Sequence, residues 1–191
     1  MMEILNEKGK EFVSMTESLD TSTAMGRFVM DIIQRIAQLE SEQIGERVYD
    51  GMRQKAKDGK GVLGSPHPYG YEYSEGVLTD KDVEIGTIKK IFELYLSNNA
   101  LSEIVNWLEL NDIKTKKGKK WDKKTVSRIL SNPLYCGLIE WDGIISKGKH
   151  LQVVSKENFN LVQKIKYSKA RSKGKIFLIT DDLKKEYIKN L

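Results

Sequence analysis

The stretch Trp121–Gly137 reads WDKKTVSRILSNPLYCG, and it decides the fold of the region around it. Its apolar residues recur at the spacing of one helical face, which predicts a short helix with a buried side. Asp122 is a suitable N-cap, and Pro133 ends the helix because proline lacks the N–H that a helix interior needs. The side chains predicted to point away from the core are Lys123, Lys124, Ser127 and Arg128.

Two more helices precede this one, and a hairpin follows it. Apolar periodicity predicts helices from about Asp80 to Ser97 and from about Leu101 to Leu110. Downstream, the apolar runs Leu138–Trp141 and Ile144–Ile145 are joined by Asp142-Gly143, a strong hairpin signal. Three helices followed by a hairpin is the order of a winged helix-turn-helix unit. The sequence therefore predicts a mainly α fold with small β elements.

A long helix is predicted upstream, from about Thr23 to Asp58. Its first half carries an apolar face at three- and four-residue spacing, whereas its second half is mostly polar. Since little chain precedes this face, it needs a partner surface, and helices of this kind commonly dimerise through their apolar part. The residues of the face are Met25, Phe28, Val29, Ile32, Ile33, Ile36 and Leu39.

The composition shifts divide the chain into three predicted segments. Residues 1–58 comprise a short opening, which looks like the tail of something larger, and the long helix. A break rich in glycine and proline, Gly59–Pro68, then opens a second domain over residues 59–165. A helix is predicted from Lys156 to about Ala170, capped by Ser155, and residues 166–191 are predicted to be a basic tail.

The net charge of +5 favours an anionic partner, and the basic residues are concentrated in one region. In helix-turn-helix proteins the second helix of the pair enters the major groove, where ammonium groups neutralise phosphates and Arg128 or a lysine can read guanine. The sequence therefore predicts double-stranded DNA as the partner. The residues predicted to contact it, besides the outward side chains of the third helix, are Lys116, Lys117, Lys119 and Lys120.

Few residues suit metal or nucleophilic chemistry. The single cysteine, Cys136, excludes an internal disulfide and a cysteine-based zinc site, and its apolar neighbours predict that it is buried. His67 and His150 have no partners at ligand spacing; we expect His67 in a turn and His150 in solvent. We therefore predict no metal and no cofactor. No apolar run reaches membrane-spanning length and no signal peptide is recognisable, so we expect a cytoplasmic protein.

The motif Trp121-x4-Val126-x2-Ile129-Leu130-x-Asn132-Pro133-x-Tyr135-x-Gly137 closely resembles the signature of the recombinase domain of large serine recombinases. Pro66-x-Pro68-Tyr69-Gly70-Tyr71 is similar to the start of that domain, and Ile88-x2-Ile91-Phe92-Glu93-x-Tyr95 is similar to its following helix. Upstream, Asp20–Arg27 and Leu39–Arg47 resemble the end of the resolvase-type catalytic domain. Together these resemblances cover about residues 10–165.

The resemblance implies roles for the long helix as an assembly helix. In the family this helix makes the contacts of the synaptic dimer and tetramer, and its far end lies on DNA. By position, the apolar residues from Met25 to Ile36 would be subunit contacts, which implies a homodimer or association with an intact recombinase. Arg47 and Arg53 would meet the DNA near the crossover site.

Two features of the family are missing from this sequence. The family cleaves DNA with a serine near its N-terminus, assisted by arginines that stabilise the charge on the phosphorus oxygens. Here the first arginine is Arg27, and Ser14, Ser18 and Ser22 match no nucleophile motif. The family also usually continues into a four-cysteine zinc ribbon. We therefore predict no catalytic residue and a truncated DNA-binding fragment of a site-specific recombinase that does not cleave DNA alone.

Two other functions stay open at this point. A winged helix with a dimer helix is also the plan of transcription regulators that bind an operator as a symmetric pair. Alternatively, the long helix could join intact recombinase subunits into inactive mixed oligomers, which would make the chain a dominant-negative partner. A relic of a decayed mobile element and one half of a split gene fit the sequence equally well.

Overall fold

The computed structural model describes residues 20–60, 67–74, 77–170 and 176–187. The predicted opening segment, with Ser14 and Ser18, lies outside the described residues, as does most of the predicted break after the long helix. The chain divides into two compact units, Met1–Gly51 and Met52–Leu191. The segment boundaries drawn from the sequence remain predictions.

Helix α1 spans Ala24–Lys57 and confirms the predicted long helix. Its first turn is capped by Thr23, whose Oγ1 accepts a hydrogen bond from the Gly26 amide at 3.0 Å. No acidic residue lies in the first turn, but Lys55 and Lys57 lie in the last turn, where positive charge stabilises the C-terminal end of a helix dipole.

The end of α1 packs within the second unit. Ala56 is fully buried, and its carbonyl oxygen accepts a hydrogen bond from the Ser146 hydroxyl. The chain then turns at Gly59 with a φ of +62°, and a Cβ at this position would lie 2.0 Å from the carbonyl oxygen of Lys147. The predicted break after the helix therefore begins where only glycine fits the backbone.

The elements of the second unit are β1 (Tyr71–Ser74), β2 (Val77–Asp80), α2 (Asp82–Leu96), α3 (Leu101–Leu110), α4 (Lys123–Leu130), a 3-10 turn (Pro133–Cys136), β3 (Leu138–Trp141), β4 (Ile144–Lys147), α5 (Lys156–Lys169), β5 (Phe177–Ile179) and β6 (Lys185–Tyr187). Each strand pairs antiparallel with its neighbour in sequence, which gives three two-stranded sheets over the described residues. Helices α2, α3 and α4 followed by the hairpin β3–β4 confirm the winged helix-turn-helix order.

The core of the second unit joins all four of its complete helices. Ile88 and Ile91 of α2 and Leu108 of α3 are fully buried, as are Leu130 of α4 and Phe159 of α5. Short helices of this kind are marginal alone, and the burial of an apolar face against their neighbours supplies most of their stability.

Helix α5 confirms the helix predicted from Lys156 to about Ala170, and the segment expected as a basic tail contains further regular structure. The hairpin β5–β6 packs onto α5. Ile179 is 2% exposed. The Asn160 side chain donates to the Ile179 carbonyl oxygen and accepts from the Ile179 amide, both at 2.9 Å. A strand of three residues has too few positions for a periodic signal, so only the contacts with α5 define this hairpin.

The two residues singled out for their chemistry are both buried. Cys136 is 5% exposed, as predicted, and burial raises the pKa of its thiol to about 12. The prediction of a solvent-exposed His150 is wrong: it is 8% exposed, and its Nε2 lies 2.7 Å from the carbonyl oxygen of Leu134. Its ring also meets the Tyr71 ring edge-on at 5.3 Å. The lysines and glycine before His150 suggested a surface loop, but the imidazole turns inward from it.

Burial of His150 makes the fold sensitive to mild acid. Burial lowers the pKa of His150 below its ordinary 6.5, so the unfolded state binds a proton at a higher pH than the folded state does. The free energy of unfolding should therefore fall as the pH falls from about 7 to about 5.5. Urea denaturation at a series of pH values measures this slope.

Two histidine variants test whether His150 causes this pH dependence. His150→Gln should flatten the slope because the titrating group is gone, whereas His67→Gln should keep it. An unchanged slope in His150→Gln would show that another group controls the acid sensitivity.

Candidate nucleic-acid interface

Helix α4 presents one face to the core and the other to solvent. The carboxylate of Asp122 caps it by accepting a hydrogen bond from the Thr125 amide at 2.5 Å, and this bond lowers the pKa of the carboxyl group. The apolar side chains of the helix are buried. The four predicted outward residues divide into three exposed side chains and one half-buried side chain: Lys123, Lys124 and Arg128 are exposed, and Ser127 is half-buried.

The C-terminal end of α4 is held by two side chains of α5. Gln163 is 1% exposed, and its Nε2 donates to the carbonyl oxygen of Leu130 at 2.7 Å. The amine of Lys166 donates to the carbonyl oxygen of Ser127 at 3.0 Å and to the hydroxyl of Ser131. The last carbonyls of a helix lack partners within it, so these bonds anchor α4 and set its rotation on the core.

The run Lys114–Lys120, here called the lysine loop, forms a tight turn before α4. The Thr115 amide donates to the carbonyl oxygen of Lys119 at 2.9 Å, and the Gly118 amide donates to the carbonyl oxygen of Thr115 at 2.7 Å. The lysine side chains of the loop are therefore displayed from a fixed backbone. Loop and helix together border a groove of about 540 Å³, here called the basic groove. Its lining residues are Pro68, Tyr69, Thr115, Lys116, Lys117, Lys119, Lys120, Trp121, Asp122, Thr125, Arg128, Ile129, Asn132 and Tyr135.

The structure brings together most of the residues predicted from the lysine run and the third helix, and it adds others. Trp121 is 4% exposed, and the Tyr69 ring meets its ring edge-on at 4.9 Å. Thr125 lies beside Arg128, with 3.5 Å between its Oγ1 and the guanidinium Nη2. Of these, the helical spacing of Thr125 and Arg128 was visible in the sequence, whereas the position of Tyr69 depends on a contact across 52 residues of chain.

The lysines of the groove differ in their partners. The Lys116 ammonium is bonded to backbone carbonyls of Pro68 and Tyr71, and that of Lys120 pairs with Glu109 at 3.1 Å. Across the residues that the structure describes, no hydrogen bond or ion pair engages the ammonium groups of four others. These are Lys117, Lys119, Lys123 and Lys124. Lys117 and Lys119 line the groove, and Lys123 and Lys124 lie on α4, so the positive charge of these four has no carboxylate partner among the described residues.

The predicted contacts on α1 are also exposed. Arg47 is exposed, and its Nε donates to the carbonyl oxygen of Gln43 in its own helix, at 3.3 Å. Arg53 is exposed in the second unit. Of the predicted subunit contacts, here called the apolar stripe, Val29 is half-buried and the others are between 41% and 70% exposed: Met25, Phe28, Ile32, Ile33 and Ile36.

Two family models match this chain in tandem. The model described as Recombinase matches residues 82–169, which include α2 to α5, and the model described as Resolvase, N terminal domain, matches residues 1–61. The two matches follow one another along the chain and together cover most of it, which identifies the family. The chain belongs to the serine recombinases of the resolvase and invertase family.

Curated relatives of this recombinase chain match a part of it. The DNA-invertase hin of Salmonella typhimurium is 41% identical over 56 residues, which are 29% of this chain and 30% of the relative. The recombinase chain thus spans about a third of the length of the DNA invertases that it matches.

Solved structures share the fold of the recombinase chain. The crystal structure of an LSR–DNA complex matches with a TM-score of 0.56 at 20% identity, over 67% of this chain and 42% of that chain. A structure concerning the sequence requirements of the Listeria innocua prophage attP site matches with a TM-score of 0.54 at 18% identity, over 74% of this chain and 70% of that chain. Among the described residues, no helix is long and apolar enough to cross a membrane.

The bonds from Lys166 to α4 predict that the free energy of unfolding depends on pH in the alkaline range. Burial lowers its pKa from the ordinary 10.5 to about 8, so between these values the unfolded state binds more protons than the folded state. The free energy of unfolding should therefore rise as the pH rises through this window, by about 1 kcal/mol after allowance for partial exposure. Urea denaturation of wild type and Lys166→Met at several alkaline pH values measures this contribution.

The exposed neighbour Lys164 provides the matched control. Lys166→Met should remove the alkaline rise, and Lys164→Met should keep it. If both variants keep the rise, the Lys166 amine is not dehydrated in its site.

Proposed function

We propose that this chain is the DNA-binding and assembly part of a site-specific serine recombinase and that it binds duplex DNA through the basic groove and the exposed face of α4. The observation that carries the proposal is a set of four lysines whose ammonium groups have no partner among the described residues. Lys117 and Lys119 lie in the lysine loop, and Lys123 and Lys124 lie on α4, whose other face is anchored in the core. Unpaired ammonium groups on a rigid frame suit a polyanion, because each phosphate contact releases a condensed counterion.

Helix α4 is the element proposed to enter the major groove. Its N-terminal turns carry Lys123 and Lys124, and one turn later it carries Ser127 and Arg128. A guanidinium can donate two hydrogen bonds to the O6 and N7 atoms of guanine, so Arg128 is the best-suited residue for sequence readout. The flanking lysines suit phosphates, which position the protein without specifying sequence.

The remaining predicted contacts lie in the lysine loop and on α1. In this proposal Lys117, Lys119 and Lys120 of the loop lie along the phosphate backbone next to the major groove. Arg47 and Arg53 lie on the far half of α1 and are proposed to meet the DNA near the crossover site, as the family resemblance implies.

We assign no DNA cleavage to this chain acting alone. Attack on a phosphodiester needs an activated hydroxyl and cations that stabilise the developing charge. The first arginine in the sequence, Arg27, donates from Nη1 to the carbonyl oxygens of Thr21 at 3.1 Å and Ser22 at 2.7 Å. Its guanidinium therefore stabilises the backbone just before α1.

The apolar stripe favours a second role, in assembly. Large side chains such as Phe28 are more than half exposed, and a contiguous apolar surface of this kind is typical of an interaction site. The proposed occupant is the same helix of another copy or of an intact recombinase. In the second case mixed oligomers would contain subunits without a nucleophile, and the chain would act as a dominant-negative partner.

DNA binding is tested by gel-shift titration with the DNA that flanks the gene, beside an unrelated duplex, at about 50 and 200 mM salt. We expect binding that prefers the flanking site and weakens steeply with salt. Replacing Lys123, Lys124 and Arg128 together by methionine should weaken it more than tenfold, because three cationic contacts are lost. The same mixtures under denaturing conditions should contain no covalent protein–DNA product.

Lys89→Met is the matched control, since Lys89 is an exposed lysine on α2 outside the basic groove. It should bind like the wild type. Equal and weak binding to both duplexes would overturn the site-specific function, and preference for a promoter instead would support a transcription regulator.

Assembly is tested by sedimentation equilibrium over a range of protein concentrations. The wild type should self-associate, and Phe28→Glu with Ile32→Glu should be monomeric, because charge on the stripe opposes its burial. Leu110→Glu, at a side chain that is 86% exposed on α3, should associate like the wild type. A wild type that stays monomeric at high concentration contradicts self-association through this stripe.

A further inference from the structure

The backbone turn at residues 68–71 contacts one particular lysine of the lysine loop. The Lys116 ammonium lies 3.3 Å from the carbonyl oxygen of Pro68 and also donates to the carbonyl oxygen of Tyr71. It therefore bridges the two ends of the turn, 45 and 48 residues away in the chain. A contact of this range joins the lysine loop to the start of the winged helix-turn-helix unit.

Other polar groups of this turn also have partners, and the Pro68 carbonyl oxygen accepts a second hydrogen bond, from the Tyr71 amide at 3.2 Å. The Tyr69 carbonyl oxygen accepts from the Tyr135 hydroxyl at 2.9 Å, and the Gly70 carbonyl oxygen accepts from the Lys81 amide at 3.0 Å. The Gly70 amide donates to the Glu84 carboxylate at 2.8 Å. Because buried backbone groups are costly without partners, the Lys116 ammonium completes the hydrogen bonding of the turn.

Lys116 differs in this respect from its neighbours in the loop. All three of Lys116, Lys117 and Lys119 line the basic groove, but within the described part of the chain only the Lys116 ammonium is engaged by protein atoms. Burial lowers the pKa of Lys116, as expected for an ammonium that has exchanged part of its water for carbonyl oxygens. Turning toward a phosphate would break both of its bonds.

We propose that Lys116 is a positioning residue, which fixes the lysine loop on the turn at residues 68–71 so that Lys117 and Lys119 face the DNA. It does not itself neutralise a phosphate. This inference rests on the proposed DNA binding. It gives Lys116 a structural role in the groove and leaves the phosphate contacts to lysines such as Lys117 and Lys119.

The salt dependence of binding separates these two roles. Each phosphate neutralised in the complex contributes about 0.9 to the slope of log K against log salt concentration. Loss of a contacting lysine therefore lowers the slope. Loss of a positioning lysine lowers the affinity, because the loop must be ordered on binding, but it leaves the number of neutralised phosphates unchanged.

The experiment compares Lys116→Met with Lys117→Met in the full chain, by fluorescence anisotropy on one duplex over a salt series. Lys117→Met should lower the slope by about 0.9. Lys116→Met should weaken binding about threefold to tenfold at every salt concentration, with the slope kept within about 0.3 of the wild type. Lys116→Arg, which keeps the donors and the charge, should restore part of the affinity.

Hydrogen exchange of the free proteins supplies a readout that needs no DNA. The peptide that covers residues 114–121 should exchange faster in Lys116→Met than in the wild type, and at the wild-type rate in Lys117→Met. If Lys116→Met is poorly folded, Lys116→Gln, which retains a donor, replaces it in both measurements.

A fall in slope for Lys116→Met equal to that for Lys117→Met would overturn the inference, whatever the exchange rates, because it would identify Lys116 as a phosphate contact. Unchanged exchange and unchanged affinity in Lys116→Met would also overturn it. If the wild type shows no salt-dependent binding, the proposed function fails instead, and the exchange rates alone still decide whether Lys116 fixes the loop.

Discussion

The anchoring of α4 by α5 is the constraint on which the candidate site depends. Helix α4 has eight residues, too few for stability on its own, and only one of its faces is apolar. Gln163 and Lys166 satisfy carbonyl groups near its C-terminal end while Asp122 caps its beginning. With both ends tied and the inner face buried, the outer face has one orientation, and basic side chains on it can act together.

The lysines of the second unit fall into two groups, those bonded to backbone carbonyls of other segments and those without such bonds. Lys116 and Lys166 are turned to backbone carbonyls of other segments, and Lys169 donates to the Asn98 carbonyl and lies over the Tyr95 ring. These cations stabilise contacts between segments at the cost of partial desolvation. The lysines whose ammonium groups have no partner among the described residues do not incur this desolvation. Net charge alone does not distinguish the two groups.

Helix α1 differs from the helices of the second unit in that most of its apolar face is exposed. Its apolar stripe has no cover among the described residues of its own unit, whereas Ala56 in its last turn is buried and accepts a hydrogen bond from Ser146 of β4. One continuous helix thus combines an exposed apolar surface with an end that packs within the second unit.

The sequence by itself determined the long helix, the three short helices and the hairpin β3–β4. Each of these has a local signature: a 3.6-residue apolar period, a capping residue such as Asp122, or the Asp142-Gly143 turn. The exposed basic face of α4 followed from the same period. Only the tertiary structure decided that His150 is buried, that Ile179 belongs to the core, and that Lys116 and Lys166 bond carbonyls of distant segments. These outcomes depend on contacts between residues far apart in the chain. A lysine in a loop, or an imidazole after a run of lysines and glycine, has no local feature that reveals whether its partner is protein or water.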